Sequence, residues 1–199
     1  MQTAVANVWA ATLFGVADMK TTSRIALSSV LCAMSLLCLL LTFFPFATYA
    51  LPAIAGVFLM PLVVECGKKT AFCAYLSVSV LALLLVPDME SKALFVAFFG
   101  YYPLLKAVAE SAQSRFLEWV IKLCVFNLSV IIAYAILSLI GFPMDAFAIN
   151  GLSLPLSTIL CLFLIAGNGI FILYDIGLTR FLPLYFSRLQ PLCRRLFFK

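Results

Sequence analysis

The chain contains no histidine, and Lys, Arg, Asp and Glu together make up only 11% of its 199 residues. The first absence removes the commonest general base and the commonest metal ligand. No paired cysteines at metal-ligand spacing replace it, and neither a Gly-rich phosphate loop nor a nucleophile elbow is present. The expectation is therefore no catalytic residues, no metal, no cofactor and no enzyme, so that any ATP-driven work falls to another chain. The second absence excludes a soluble domain, in which about a quarter of the residues carry charge.

What is present is apolar. Hydrophobic residues make up 65% of the chain and its mean hydropathy is +1.18. They come in blocks of about twenty, not in alternating ten-residue strands. Only helices and closed barrels satisfy every backbone group in lipid, so this spacing predicts an all-α fold, an integral membrane bundle of six transmembrane helices. Residues 25–46, 49–64, 70–87, 119–142 and 154–175 read as spans. The stretch 88–106, DMESKALFVAFFGYYPLLK, lies between the third and fourth of these and is broken by a glycine and a proline.

Charge decides whether that stretch crosses. If it does, Lys20, Arg24, Lys68, Lys69, Lys106, Arg115, Lys122, Arg180, Arg188, Arg194, Arg195 and Lys199 fall on one side and Lys92 alone on the other. The positive-inside rule makes that side the cytoplasm, with both termini in and Asp88, Glu90 and Asp145 out. Residues 92–106 then form a short, kinked fourth helix of about 20 Å in a hydrocarbon core of about 30 Å, expected to continue through residues 107–115 into the interface. Lys92 and Lys106 are expected to snorkel outward from its ends. Gly100 and Pro103 free carbonyls that persist in lipid only where protein groups or a water-filled cavity satisfy them. The segment thus lines a binding cavity or is an ordinary kinked helix.

The domain reading is a cytoplasmic N-terminal segment over 1–24, a six-helix membrane domain over 25–179 and a basic amphipathic cytoplasmic tail over 180–199. Residues 1–18 carry no basic residue ahead of their apolar part, which argues against a signal peptide. Met19, followed by a short basic leader, reads as an alternative start. The tail RFLPLYFSRLQPLCRRLFFK suits an anionic inner leaflet, and Pro183 and Pro191 argue against one continuous helix there. The net charge of +5 has this membrane explanation and calls for no nucleic acid. The seven cysteines are expected to pack, without disulfides.

Few residues remain for function. Glu65, Lys106, Glu118, Lys122 and Asp175 lie at inner ends of spans, where ion pairs and anchors are the expected roles. Tyr75, Tyr101, Tyr102, Asn127, Tyr134 and Asn168 lie deeper; Asn127 and the Gly167-Asn168-Gly169 notch suit helix-to-helix bonding. The outer connections, FFPFATYALPAIAG at 43–56 and PMDAFAINGLSLP at 143–155, supply a ligand lid of aromatic, amide and acidic groups. The candidate ligand-binding residues are Tyr49, Asp88, Glu90, Tyr134, Asp145 and Asn150.

This pattern resembles the substrate-binding S components of energy-coupling-factor transporters. The likeness is carried by MKTTSRIALSSVLCAMSLL from residue 19, a basic leader running into a small-residue first helix. LPAIAGVFLMPLVVECGKKTAFCAYLSVSVLALLLVP at 51–87 resembles their second and third helices around a short inner loop with a glycine. The resemblance implies a membrane-embedded subunit of the bacterial inner membrane that captures a vitamin-like or other micronutrient at its outer face. A transmembrane coupling subunit and two ATPase subunits would be its partners, meeting small residues of the first helix, here Ala26, Ser29 and Ala33. A second resemblance is to the rod-shape-determining membrane scaffolds, also small and six-span, which dock other proteins and move no solute. A polar-walled outer cavity separates the two, because the 19 phenylalanines suffice to fill a scaffold solid.

Overall fold

The structure, a computed structural model, describes residues 20–43, 48–110, 114–139 and 156–191. The fold is all-α, with no strand among the described residues. The helices are α1 (Thr21–Leu40), α2 (Ala50–Glu65), α3 (Lys68–Leu85), α4 (Met89–Leu94), α5 (Tyr102–Ala109), α6 (Arg115–Leu139) and α7 (Leu156–Leu184). Two π-helical turns join them, Phe95–Phe99 between α4 and α5 and Tyr185–Leu189 after α7. Four stretches are long and apolar enough to cross a membrane: Thr21–Leu40, Lys68–Leu85, Met89–Ala109 and Leu164–Leu189. The apolar α2 is shorter, at 16 residues.

The distribution of polarity is that of a chain solvated by hydrocarbon. Leu139, Leu84, Ile165 and Leu173 are 86%, 76%, 74% and 71% exposed, while Lys106 is fully buried. Large apolar side chains facing outward around a charged interior would be a liability in water and are the norm in lipid.

α1, α2 and α3 pack against one another, and α2 and α6 both pack against Phe95–Phe99 and α5. The passage Met89–Ala109 is consequently central, half buried by residue where Thr21–Leu40 is 17% buried. Two local features allow this. Gly67 takes φ 85° between α2 and α3, a left-handed conformation that only glycine adopts without strain, and so turns the chain back sharply. Gly56 lets α2 approach the central passage, since a Cβ there would stand 2.3 Å from the Phe99 carbonyl oxygen. Ser35 of α1 donates to the Ala55 carbonyl at 2.9 Å and closes the other side of α2.

Two expectations change and one is refined. The stretch around residues 92–106 starts earlier, at Met89, and continues past Lys106 to Ala109, 21 residues in all, which at 1.5 Å per residue reach about 30 Å. Its break is a π turn closed by Gly100 N–H to the Phe95 carbonyl at 2.8 Å, with Pro103 at the start of α5. The Tyr75 hydroxyl donates to the Val96 carbonyl at 2.7 Å, so a protein group from α3 serves the irregular backbone. Lys106 does not snorkel: it is buried and paired, because Glu110, one turn on, and Asp175, from α7, reach it. Finally, Pro183 lies inside α7 and does not end it. The helix runs on into the π turn Tyr185–Leu189, where Tyr185 is buried against α2.

Candidate functional site

Helical spacing builds the buried charged site. Tyr102, Lys106 and Glu110 succeed one another at four-residue intervals along and just past α5, Glu118, Lys122 and Phe126 along α6, and Phe171, Asp175 and Thr179 along α7. Residues four apart share a helix face, so each helix presents one aromatic-and-charged stripe. The three stripes meet.

Asp175 is the hub. Its Oδ1 accepts from Tyr102 at 2.6 Å, from Lys122 at 3.1 Å and from Lys106. Lys106 Nζ also contacts Glu110 Oε1 at 2.7 Å and donates to Thr179 Oγ1 at 2.8 Å. Lys122 Nζ contacts Glu118 Oε1 at 2.7 Å and Glu110 Oε1 at 3.3 Å, and lies 5.5 Å from the centre of the Trp119 ring. Each ammonium thus has acceptors for its three protons. Burying a lysine costs several kcal/mol, offset only when pairing is this complete. Two cations face three carboxylates, and Glu110 Oε2 is buried with no hydrogen-bond partner among the described residues.

Above the charges lies a layer of rings. Phe126 and Phe171 stack at 4.9 Å and 12°, and the Phe98 ring centre is 4.8 Å from Tyr102 and 5.0 Å from Phe126. Tyr174 joins Phe99 edge-on at 5.0 Å and donates to the Ala53 carbonyl at 3.3 Å. The layer leaves the middle of α5, α6 and α7 filled. Beside it Asn127 and Asn168 exchange amide bonds of 3.2 and 3.0 Å between α6 and α7, the helix-to-helix role expected for them. A second polar contact joins α2 to the turn after α7: the buried Glu65 Oε1 accepts from Gln190 at 2.8 Å and from Tyr185 at 3.3 Å.

The opposite end holds three of the six candidate ligand residues. Tyr49 is 57% exposed and its hydroxyl donates to Glu90 at 3.1 Å. Asp88 caps α4, accepting from the Ser91 amide at 3.2 Å and from the Ser91 hydroxyl. Ser91 Oγ also reaches the Thr48 carbonyl at 3.1 Å, and Lys92 donates to the Val86 carbonyl at 3.3 Å. Asp145 and Asn150 lie outside the described residues, as does the side chain of Tyr134. On α1, Ser29 and Ala33 are exposed and Ala26 is half-buried.

Sequence reasoning missed Glu110 as a network member and Tyr185 and Gln190 as partners of Glu65. The spacing of Lys106 to Glu110 and of Glu118 to Lys122 was the available signal, since opposite charges four apart pair on one helix. Asp175 was expected in an ion pair at a span end, but nothing local announced its two lysine partners. No family model, no curated protein and no solved structure matches this chain.

Proposed function

We propose that the chain is a six-span subunit of a bacterial cytoplasmic membrane, with both termini inside, that binds a small molecule of the vitamin or micronutrient class for uptake. A separate transmembrane coupling subunit and two ATPase subunits energise it. The reading rests on one observation. Tyr49 and Glu90 converge at the outer end with Tyr49 exposed, whereas both buried lysines at the inner end are consumed by internal pairs. The outer groups are the ones left to meet a ligand. The exposed Ser29 and Ala33 on α1 offer the coupling subunit a face of close approach.

The aromatic layer favours a second reading. Rings that fill the middle of the bundle suit a scaffold of the rod-shape-determining type, which docks proteins and needs no solute cavity. Purification of the tagged chain from its native membrane in mild detergent, followed by mass spectrometry of its companions, separates the two. A coupling subunit with two ATPases supports uptake; cell-wall synthesis proteins, or no companions, overturn it.

A further inference from the structure

A groove of about 410 Å³ runs along the outside of the bundle between α3 and α5, lined by Phe72, Tyr75, Tyr101, Leu104, Leu105 and Val108. Its walls are almost wholly apolar. The polar atoms of its two tyrosines are engaged elsewhere, Tyr75 with the Val96 carbonyl and Tyr101 with the Ser129 hydroxyl. Phe72 and Val108 are 48% and 49% exposed, so the groove is open to the surrounding hydrocarbon.

Charge lies one helical turn from it along α3. Lys68 and Lys69 open α3, and Lys68, Phe72 and Tyr75 follow at intervals of four and three, on one helix face. Neither lysine joins a salt bridge among the described residues. The first turn of α3 has no acidic residue, and Gly67 supplies no side-chain cap. The positive end of the helix dipole therefore adds to two ammonium groups that no carboxylate pairs among the described residues. An apolar groove one helical turn from these cations matches a molecule with an apolar tail and an anionic head.

We propose that this is a binding site for an anionic glycerophospholipid, with one acyl chain in the groove and the headgroup phosphate at Lys68 and Lys69. The inference rests on the membrane-spanning reading of α3 and Met89–Ala109 and is independent of whether the subunit transports or scaffolds. A zwitterionic lipid offers the same chain without the net charge. Inorganic phosphate offers the charge without the chain.

The test uses the full-length protein in mild detergent, titrated with phosphatidylglycerol or phosphatidylcholine of identical acyl chains. Retained lipid is read by native mass spectrometry and stabilisation by thermal unfolding. Phosphatidylglycerol is expected to be retained and to raise the unfolding temperature at about tenfold lower concentration than phosphatidylcholine, with no shift from inorganic phosphate. The Lys68→Gln, Lys69→Gln double variant should lose that preference, and Arg180→Gln on α7 should keep it. Leu104→Trp, which fills the groove, should weaken retention of both lipids; if it fails to fold, the lysine variants decide alone. Equal retention of the two lipids, a shift from phosphate alone, an unchanged double variant or an equal loss in Arg180→Gln would each overturn the site. Alkaline extraction of the same membranes checks the spanning reading separately.

Discussion

The two ends of the bundle handle their polar residues in opposite ways. At one end Lys106, Lys122 and Asp175 are 0%, 1% and 4% exposed, and both lysines pair with Asp175 across three helices. At the other end Tyr49 is 57% exposed and meets Glu90 in a single bond. The difference teaches where charge does structural work in this chain. In low dielectric an unpaired ammonium is intolerable, so the buried residues hold α5, α6 and α7 in one register; near the surface water screens a single contact, which contributes little.

The sharpest way to break this comparison is to ask whether the two ends face different compartments. In a background cleared of reactive native cysteines, Met89→Cys should react in intact cells with an impermeant thiol reagent and Lys69→Cys should not. Equal labelling removes the topology. The next largest effect is energetic. Asp175→Ala breaks the buried ion pairs that tie Lys106 and Lys122 to α7, leaving them Glu110 and Glu118, and should cost about 3 kcal/mol of stability, read as a large drop in unfolding temperature in detergent. A cost no greater than that of a substitution at the Tyr49 end would erase the contrast between the ends.

Gly56→Ala should come next. Its Cβ would enter the space of the Phe99 carbonyl oxygen, and separating α2 from the central passage should cost about 1–3 kcal/mol. An unchanged unfolding temperature would show that the close approach is not required. Asp88→Ala removes the cap of α4 and should cost about 1 kcal/mol. Tyr49→Phe, which deletes one exposed hydrogen bond, should cost less still, about 0.5 kcal/mol. If Asp88→Ala and Tyr49→Phe together matched Asp175→Ala, the Tyr49 end would be as structural as the Asp175 end.

Much of the fold was legible because hydropathy is additive along the chain. Apolar blocks gave away the helices, and the edges were uncertain for the reason seen at Met89–Ala109, where the passage continues past Lys92 and Lys106. Gly100 and Pro103 correctly marked a break, yet its form as a π turn over Phe95–Phe99 depends on Tyr75 arriving from α3. Lys106 was misread as a snorkelling end. The inference was local, and its decisive partner lies 69 residues away. The outer candidates were placed by loop chemistry, which brought Tyr49 and Glu90 to one place but assigned Asp88 no cap.

By itself, then, the amino-acid order determined an all-helical chain with helices apolar enough to cross a membrane, because the transfer of side chains into lipid is a sum over neighbours in sequence. It determined the i, i+4 stripes on α5, α6 and α7 for the same local reason. Only the tertiary structure decided that those stripes face one another, that Asp175 serves two lysines, and that rings close the space above them. Such contacts depend on which faces of distant helices meet, and that is set by packing of the whole bundle, through features as small as the missing Cβ of Gly56.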